Sequence, residues 1–424
     1  QYEKEKAAAG LFMSQADATA VVKQCDQIMD PGLLENGSHF LQVTFAERLE
    51  ELIASGVIDA SQRESLISED DRLLRTVVAP AYVALADDIF LLSDSGSLEG
   101  SVCQATGGSA YYTYLLRRNT GTRRTPEEVN ELLSAQFQSL LSQLQELLAR
   151  YREQTGGMPQ TLSLSAFPLL DPQEILTDLQ ERISTDFPAI PALSGSTFTC
   201  ITKAVAPSME EYTSPAFYLT PPLDDLGRNV IYINNASTPP GLELYTTLAH
   251  EGYPGHLYQT VYSASCQSEP LRSLLNFKGF TEGWATYAER LSYGYEANFS
   301  PELKEFLARN ASATLALYAL CDMNIHLNGW DLEQTGQFLG TFISGLDEKA
   351  VSEIYLAIVA NPANYLSYHV GAMEFELLRE EAETRLGDAF DLREFHTVIL
   401  ETGACPFDVL AKEIGDWMAT AAAS

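Results

Sequence analysis

The chain has 424 residues, of which 46% are hydrophobic and 10% aromatic, so it is long and apolar enough to bury a large core. Its 58 acidic and 26 basic residues give a net charge of −32. This charge argues against nucleic acid and against an anionic membrane surface as partners, since both require a basic face. No run of about 18 apolar residues is present, so we expect no membrane insertion.

Helical periodicity dominates the sequence. Residues 125–153 repeat apolar positions three and four residues apart, and the opening Thr125-Pro126-Glu127 is typical of a helix start. Residues 301–327 and 362–387 follow the same pattern, with Gly387 at the end of the second. These stretches predict long helices.

Strand signals are few. Three short stretches have strand-like patterns, at residues 197–206, 215–220 and 229–233. The sequence therefore predicts a mainly α fold with a small antiparallel sheet near the active-site cleft. We expect one helical domain over residues 1–424, with a possible N-terminal subdomain at 1–155 and a catalytic core at 190–424.

Two of the six histidines lie in one short run, His250-Glu251-Gly252-Tyr253-Pro254-Gly255-His256. In the H-E-x-x-H pattern of metallopeptidases, both imidazoles share one helix face, and the glutamate reaches the metal-activated water. Here the second histidine comes six residues after the first, which turns it roughly 120° away on an ideal helix. Pro254 and the glycines beside it predict a break across residues 252–255 that swings His256 back toward His250.

A hydrolytic zinc site has three protein ligands and one open position. In the helical stretch FTEGWATYAER at residues 280–290, Glu282 is the predicted third ligand because it interrupts an apolar face. Glu289 lies seven residues later on the same face and is predicted to support a ligating histidine. Glu251 is the predicted general base. The structural alternative is a buried hydrogen-bonded cluster of histidine and glutamate.

The expected cofactor is one Zn²⁺ per chain. Two histidines and one carboxylate also suit Fe(II), Mn or Co, and the adjacent His250-Glu251 pair favours zinc among them. The six cysteines include no C-x-x-C pair, which argues against a thiolate zinc site.

The run HEGYPGHLYQ at residues 250–259 resembles the H-E-x-x-P-G-H-x-x-Q signature of the bacterial domain-of-unknown-function 885 family, which looks like a set of zinc metallopeptidases. Further stretches resemble the same family, at residues 107–129, 277–291, 322–339, 365–387 and 390–406. The resemblance implies a large gluzincin-like helical catalytic domain. It also implies His250, His256 and Glu282 as ligands and Glu251 as base.

The resemblance implies roles for residues further along the chain. His326 matches a helical histidine of the family that would contact substrate or support the site, with Asp322 one turn earlier to orient its ring. Tyr368 is the implied donor to the oxyanion. Arg379 is a candidate for binding a substrate carboxylate, and Tyr365 is a candidate for substrate contact. Core packing of the tyrosines and a surface ion-pair network around Arg379 are the alternatives.

Position along the chain suggests how substrate binds. Residues 229–233, followed by Asn234, come just before the catalytic helix and are predicted to form an edge strand that pairs with an extended substrate. Asn234 is therefore a candidate substrate-binding residue.

These observations predict a zinc-dependent hydrolase that cleaves amide bonds of short peptides or N-acyl amino acids. An exopeptidase of the carboxypeptidase or dipeptidase type is favoured. The alternatives are an amidohydrolase acting on a non-peptide small molecule, and a catalytically inactive peptide-binding module. Oligomeric state is open, and a cell-envelope or secreted location is favoured over the cytoplasm.

Overall fold

The computed structural model describes residues 1–96, 100–155, 171–191, 198–238, 240–267, 269–295 and 299–422. The chain divides into two compact units. Unit 1 comprises Gln1–Glu99 and Val205–Thr213, and unit 2 comprises Gly100–Ala204 and Ser214–Ser424. The prediction of one domain over the whole chain stays a prediction.

Unit 1 is built from helices. They are α1 (Tyr2–Ala8), α2 (Gln15–Ile28), α3 (Pro31–Asn36), α4 (Phe40–Ala54), α5 (Arg63–Leu73) and α6 (Ala79–Leu92). A π-helical stretch, Leu74–Val78, joins α5 to α6. The buried cores of this unit are small, one around Phe12 and Ile89 and another around Met29 and Leu74.

One helical stretch among the described residues, Ala60–Ser95, is long and apolar enough to cross a membrane by length and composition alone. Core helices of soluble proteins and signal sequences pass the same test. Asp87 and Asp88 also interrupt its apolar run. The expected absence of membrane insertion therefore stays a prediction.

Unit 2 contains a small sheet and a larger set of helices. Its strands are β1 (Thr199–Ala204), β2 (Ala216–Leu219) and β3 (Arg228–Ile233). Its helices before the sheet are α7 (Gly108–Thr120), α8 (Pro126–Thr155) and α9 (Pro172–Arg182). Those after it are α10 (Leu242–Glu251), α11 (His256–Cys266), α12 (Lys278–Ser292), α13 (Pro301–Asn328), α14 (Leu332–Phe342), α15 (Glu348–Ala360), α16 (Asn364–Leu386), α17 (Leu392–Thr402) and α18 (Phe407–Ala421).

The predicted mainly α fold is confirmed, and the long helices begin where their capping residues predict. At the start of α8, the Thr125 hydroxyl accepts from the Glu128 amide at 3.2 Å, and the Glu128 carboxylate accepts from the Thr125 amide at 2.7 Å. This reciprocal capping box satisfies amides that the first helical turn leaves without partners. Gly387 ends α16 with a φ of 52°, a conformation that favours glycine.

The sheet differs from the prediction in its pairing. Its strand order is β1-β3-β2, with β3 antiparallel to β2 but parallel to β1. The fully antiparallel sheet was therefore wrong, because the chain between β1 and β3 is a long crossover that returns β3 in the direction of β1. The predicted edge strand at residues 229–233 was also wrong, since β3 lies in the centre and pairs on both sides. The edges belong to β1 and β2.

Helices α12 and α16 approach one another through glycine. A Cβ atom on Gly283 of α12 would lie 2.4 Å from the carbonyl carbon of Gly371 of α16. One on Gly371 would lie 2.1 Å from the carbonyl oxygen of Gly279. Because the two backbones are in contact, side chains one turn away on each helix are brought close together.

Candidate metal centre

The helix that carries the first histidine ends as the sequence predicts. Helix α10 stops at Glu251 and α11 begins at His256. Gly255 allows this turn, since a Cβ atom there would lie 1.7 Å from the carbonyl oxygen of His250. The turn brings the rings of His250 and His256 to 4.8 Å between centroids, at 83° to each other.

The turn between the histidines is held by a residue of the neighbouring helix. The Trp284 indole on α12 donates to the carbonyl oxygen of Pro254 at 2.8 Å. Its ring is fully buried and packs edge-on against Phe187 and Phe375. The Glu282-Gly283-Trp284 run thus supplies a carboxylate to the site, a close helix contact and a support for the histidine turn.

Glu282 lies between the two imidazoles. Its Oε2 atom is 3.3 Å from Nε2 of His256 and 3.8 Å from Nε2 of His250. Tetrahedral zinc ligands with bonds of about 2.1 Å lie roughly 3.4 Å from one another, so these separations suit a shared ion. The three side chains are between 12% and 20% exposed, which leaves the centre accessible from solvent.

Glu251 lies beside the same two histidines. Ligand-type atoms of His250, Glu251 and His256 all fall within 4.8 Å of one another. Two carboxylates could therefore complete the set, and we assign the third ligand to Glu282, whose Oε2 atom lies between the two Nε2 atoms. Glu251 Oε2 instead accepts a hydrogen bond from the Tyr218 backbone amide of β2 at 2.8 Å.

The other ring nitrogen of His250 is also engaged. Its Nδ1 atom lies 3.1 Å from Oε2 of Glu289. A carboxylate in this position fixes the ring orientation and the tautomer of a ligating histidine, leaving Nε2 for the ion. The pairing that the spacing of Glu282 and Glu289 predicts is therefore present in the structure.

Three carboxylates surround two imidazoles at this centre, which favours a cation. Burial lowers the pKa of His250, but hydrogen bonds to Glu282 and Glu289 outweigh it and raise the pKa to about 10. Burial raises the pKa of Glu282, while hydrogen bonds from His250 and His256 hold it below its usual range. The cluster thus stabilises positive charge, and the donor set fits a divalent ion.

Tyr368 on α16 completes the group that the fold brings together. Its ring lies over that of His250 at 6.1 Å between centroids. Burial, together with the charges of Glu282 and Glu251, raises the pKa of Tyr368. The phenol is therefore protonated at neutral pH and can donate a hydrogen bond.

Two of the predicted residues occupy structural positions instead. His326 accepts from the Val102 amide at 3.3 Å and donates to the Ile358 carbonyl oxygen at 3.1 Å, so backbone groups use both its ring nitrogens. Burial lowers the pKa of His326 to about 4, which keeps it neutral. Asp322 directs its carboxylate to Tyr112 at 2.6 Å and to the Ala363 amide at 3.0 Å, not to the His326 ring.

Asp322 thereby caps the start of α16. Ala363 at that position has a φ of 62° and a side chain that cannot accept a hydrogen bond. The buried carboxylate from α13 supplies the missing acceptor.

The remaining predicted substrate residues have partners other than the histidines in the described part of the chain. Arg379 follows Tyr368 by about three turns of α16, roughly 16 Å along the axis. It donates to Glu383 at 2.7 Å and to the Tyr287 hydroxyl at 3.3 Å, at a cavity of about 310 Å³. Tyr365 packs against Tyr318 at 5.3 Å between centroids.

Asn234 is buried after β3. Its side-chain oxygen accepts from the Ala236 amide at 3.1 Å and shapes the turn there.

Two contacts at the site were not predicted. The Tyr218 amide that holds Glu251 is a backbone group, for which the sequence offers no signal. Lys278 donates to the side-chain oxygen of Asn364 at 2.5 Å. Its spacing of four from Glu282 on one helix was the signal that could have identified it.

The fold and the site define a mainly helical protein with a candidate His₂Glu metal centre at a helix break. The chain belongs to the family described as bacterial protein of unknown function (DUF885), whose profile matches residues 1–414. No curated protein matches the chain.

Two solved structures share the fold. One is the crystal structure of "the putative lipoprotein from Colwellia psychrerythraea", with a TM-score of 0.81 and 23% identity over 99% of this chain and 72% of that one. The other is described as "a putative lipoprotein of unknown function from Shewanella oneidensis", with a TM-score of 0.57 and 18% identity over 91% of this chain and 72% of that one. At these identities the likeness concerns the fold alone.

Proposed function

We propose that this protein is a zinc-dependent hydrolase that cleaves amide bonds of short peptides or N-acyl amino acids. The observation that carries the proposal is the position of Glu282 Oε2, at 3.3 Å and 3.8 Å from the Nε2 atoms of His256 and His250. Glu251 places a second carboxylate beside these three residues. A metal site that serves the structure alone does not require such a carboxylate. The HEGYPGHLYQ run resembles the signature of a family that looks like zinc metallopeptidases, which supports the same conclusion.

The residues would divide the work as follows. His250, His256 and Glu282 would hold the zinc ion, which when bound polarises a carbonyl group and lowers the pKa of water. Glu289 orients the His250 ring. Glu251 takes the proton of the attacking water and delivers it to the leaving amine.

Tyr368 is the proposed donor to the oxygen that gains negative charge. Its burial keeps the phenol protonated, and its ring already lies over His250. A donor placed in advance at this position stabilises the transition state more than the ground state. Tyr368→Phe should therefore lower kcat with little effect on KM, and a change in KM alone would contradict this role.

The sheet offers a place for the substrate backbone. Strand β2 is at the edge of the sheet, and its Tyr218 amide donates to Glu251 rather than to β3. We propose that an extended substrate pairs with β2, which replaces the strand expected from the sequence. Tyr218→Pro removes the amide donor together with the hydroxyl bond from Tyr218 to Asn229 of β3, and unchanged peptide turnover in this variant would refute the proposal.

The direct test is Glu251→Gln, which keeps the shape of the side chain and removes the base. We expect the variant to retain zinc and lose at least about 100-fold in turnover of blocked and unblocked dipeptides. Glu348→Gln, at an exposed position at the start of α15, is the matched control and should leave both unchanged. Full turnover by zinc-loaded Glu251→Gln would contradict the assignment, as would loss of the fold.

We also propose a cell-envelope location. It is supported by the description of both similar structures as "putative" lipoproteins. Fractionation of cells that express the full gene tests it, and recovery of the protein in the cytoplasm would refute it.

A further inference from the structure

A lysine lies one helical turn from the candidate metal centre. Lys278 is the first residue of α12 and precedes Glu282 by four positions, which places both on one face of the helix. Asn364 is the first residue of α16 and precedes Tyr368 by four positions. The Lys278 ammonium donates to the Asn364 side-chain oxygen at 2.5 Å. The pair therefore lies one helical turn before Glu282 on α12 and before Tyr368 on α16.

We propose that Lys278, together with Asn364, binds the free C-terminal carboxylate of the substrate. The inference rests on the proposed hydrolase function and specifies its substrate class: peptides or N-acyl amino acids cleaved at the C-terminal end. It assigns to Lys278 the role that the family resemblance implied for Arg379.

The reach of the lysine agrees with this class of substrate. Positions four apart on a helix are about 6 Å apart along the axis. Each substrate residue beyond the cleaved bond extends the chain by at most about 3.6 Å. A carboxylate one or two residues past a carbonyl near Glu282 therefore falls within range of Lys278, whereas Arg379 is roughly 16 Å along α16 from Tyr368.

The charges around Lys278 leave it available for an anion. In the described part of the chain, its one hydrogen-bond partner is the neutral Asn364 side chain, and it forms no ion pair. Lys278 is half-buried, so a carboxylate bound there would be partly shielded from solvent. The Asn364 amide nitrogen offers a second donor next to it.

The start of α12 adds to the positive potential. The N-terminal end of a helix carries about half a positive charge, and Phe277 at the cap of α12 has no side-chain acceptor to offset it. The start of α16 differs in this respect, because its Ala363 amide already donates to Asp322. The amino end of α12 and the Lys278 side chain thus favour an anion at the same place.

The experiment compares substrates that differ only in their C-terminal group. Zinc-loaded wild type and Lys278→Met are assayed on an N-acetyl dipeptide and on its C-terminal amide. We expect KM to rise about 10- to 100-fold for the free acid in the variant and to change little for the amide. Lys278→Arg should recover part of the loss, because it restores the charge.

A matched control separates charge recognition from stability. Lys304→Met removes another half-buried lysine that donates to a neutral oxygen, the Gly294 carbonyl at 3.1 Å. It should leave both KM values unchanged. If Lys278→Met raises KM equally for acid and amide, the lysine only ties α12 to α16 and the inference is wrong.

A binding measurement that requires no turnover tests the carboxylate site separately from the hydrolase function. The Glu251→Gln protein, with and without Lys278→Met, is titrated with N-acetyl-leucine and N-acetyl-leucinamide by calorimetry. Tighter binding of the acid than of the amide, lost in Lys278→Met, supports the carboxylate site. This holds even if the N-acetyl dipeptide and its amide are not cleaved, because a lack of cleavage counts only against the hydrolase function. Equal binding of acid and amide before the lysine is changed overturns the carboxylate site, whatever the turnover.

Discussion

The glycine contact between α12 and α16 allows a quantitative prediction. In Gly283→Ala the added Cβ would lie 2.4 Å from the Gly371 carbonyl carbon and 2.9 Å from the Ala372 amide nitrogen. Ordinary carbon contacts lie at about 3.5–4.0 Å. Both opposing atoms are backbone, so no side-chain rotation can relieve the overlap, and the helices must separate by roughly 1 Å.

The expected loss of stability follows from two opposing terms. Overpacking of this kind costs about 1–3 kcal/mol, and backbone contact places it at the upper end. Replacing glycine by alanine within a helix stabilises by about 1 kcal/mol. We therefore expect the free energy of unfolding of unit 2 to fall by about 2 kcal/mol.

The assay is urea unfolding followed by tryptophan fluorescence. The three tryptophans, Trp284, Trp330 and Trp417, all belong to unit 2, so the signal reports the unit that carries the change. Gly340→Ala in α14 is the control, since its Cβ would meet nothing within 4 Å. We expect this control to be up to about 1 kcal/mol more stable than wild type.

The same variant tests how the helix crossing serves the site. The proposed ligands His250, His256 and Glu282 lie on α10, α11 and α12, whereas Tyr368 lies on α16. Gly283→Ala should therefore retain zinc in its folded state and lose turnover. Wild-type stability together with wild-type turnover would refute both the packing argument and the role of the crossing.

Three further predictions concern single residues. Arg379→Ala should leave KM unchanged for free-acid and amidated peptides alike, because Arg379 pairs with Glu383 and not with the histidines. A rise in KM for free acids alone would contradict the Lys278 site. Burial raises the pKa of Asp322 to about 7, which is above the value in the unfolded chain. The protonated carboxyl therefore contributes fully to stability below about pH 4, and this contribution is lost as the pH rises through 7. Chemical unfolding from pH 4 to 8 should show that slope, at most about 1.4 kcal/mol per pH unit, and Asp322→Asn should flatten it; an unchanged slope would refute the assignment. Glu289→Gln should weaken zinc affinity about 10- to 100-fold in a competition titration without unfolding the protein, and unchanged affinity would show that the His250 contact does not tune the site.

The sequence was sufficient to predict the local features of the candidate metal centre. The break between α10 and α11 follows from the backbone chemistry of Pro254 and Gly255. The shared face of Glu282 and Glu289 follows from helical periodicity. Both are short-range properties, and the structure has them where the sequence predicts.

Long-range contacts could not be predicted from the sequence. The spacing of Asp322 and His326 suggested a pair, but their partners come from distant segments: Tyr112 and Ala363 for the aspartate, and Val102 and Ile358 for the histidine. The order of the strands likewise depends on the crossover between β1 and β3, which periodicity does not encode. The distance of Arg379 from the site was readable from helix geometry once Tyr368 was taken as its reference point.

The most direct test of the metal centre is the metal content of purified protein, measured by plasma mass spectrometry for wild type and His250→Ala. We predict about one zinc per chain in wild type, and little in the variant, which lacks one of the three proposed ligands. Wild-type protein that carries no metal, and takes up none when zinc is added, would contradict this prediction.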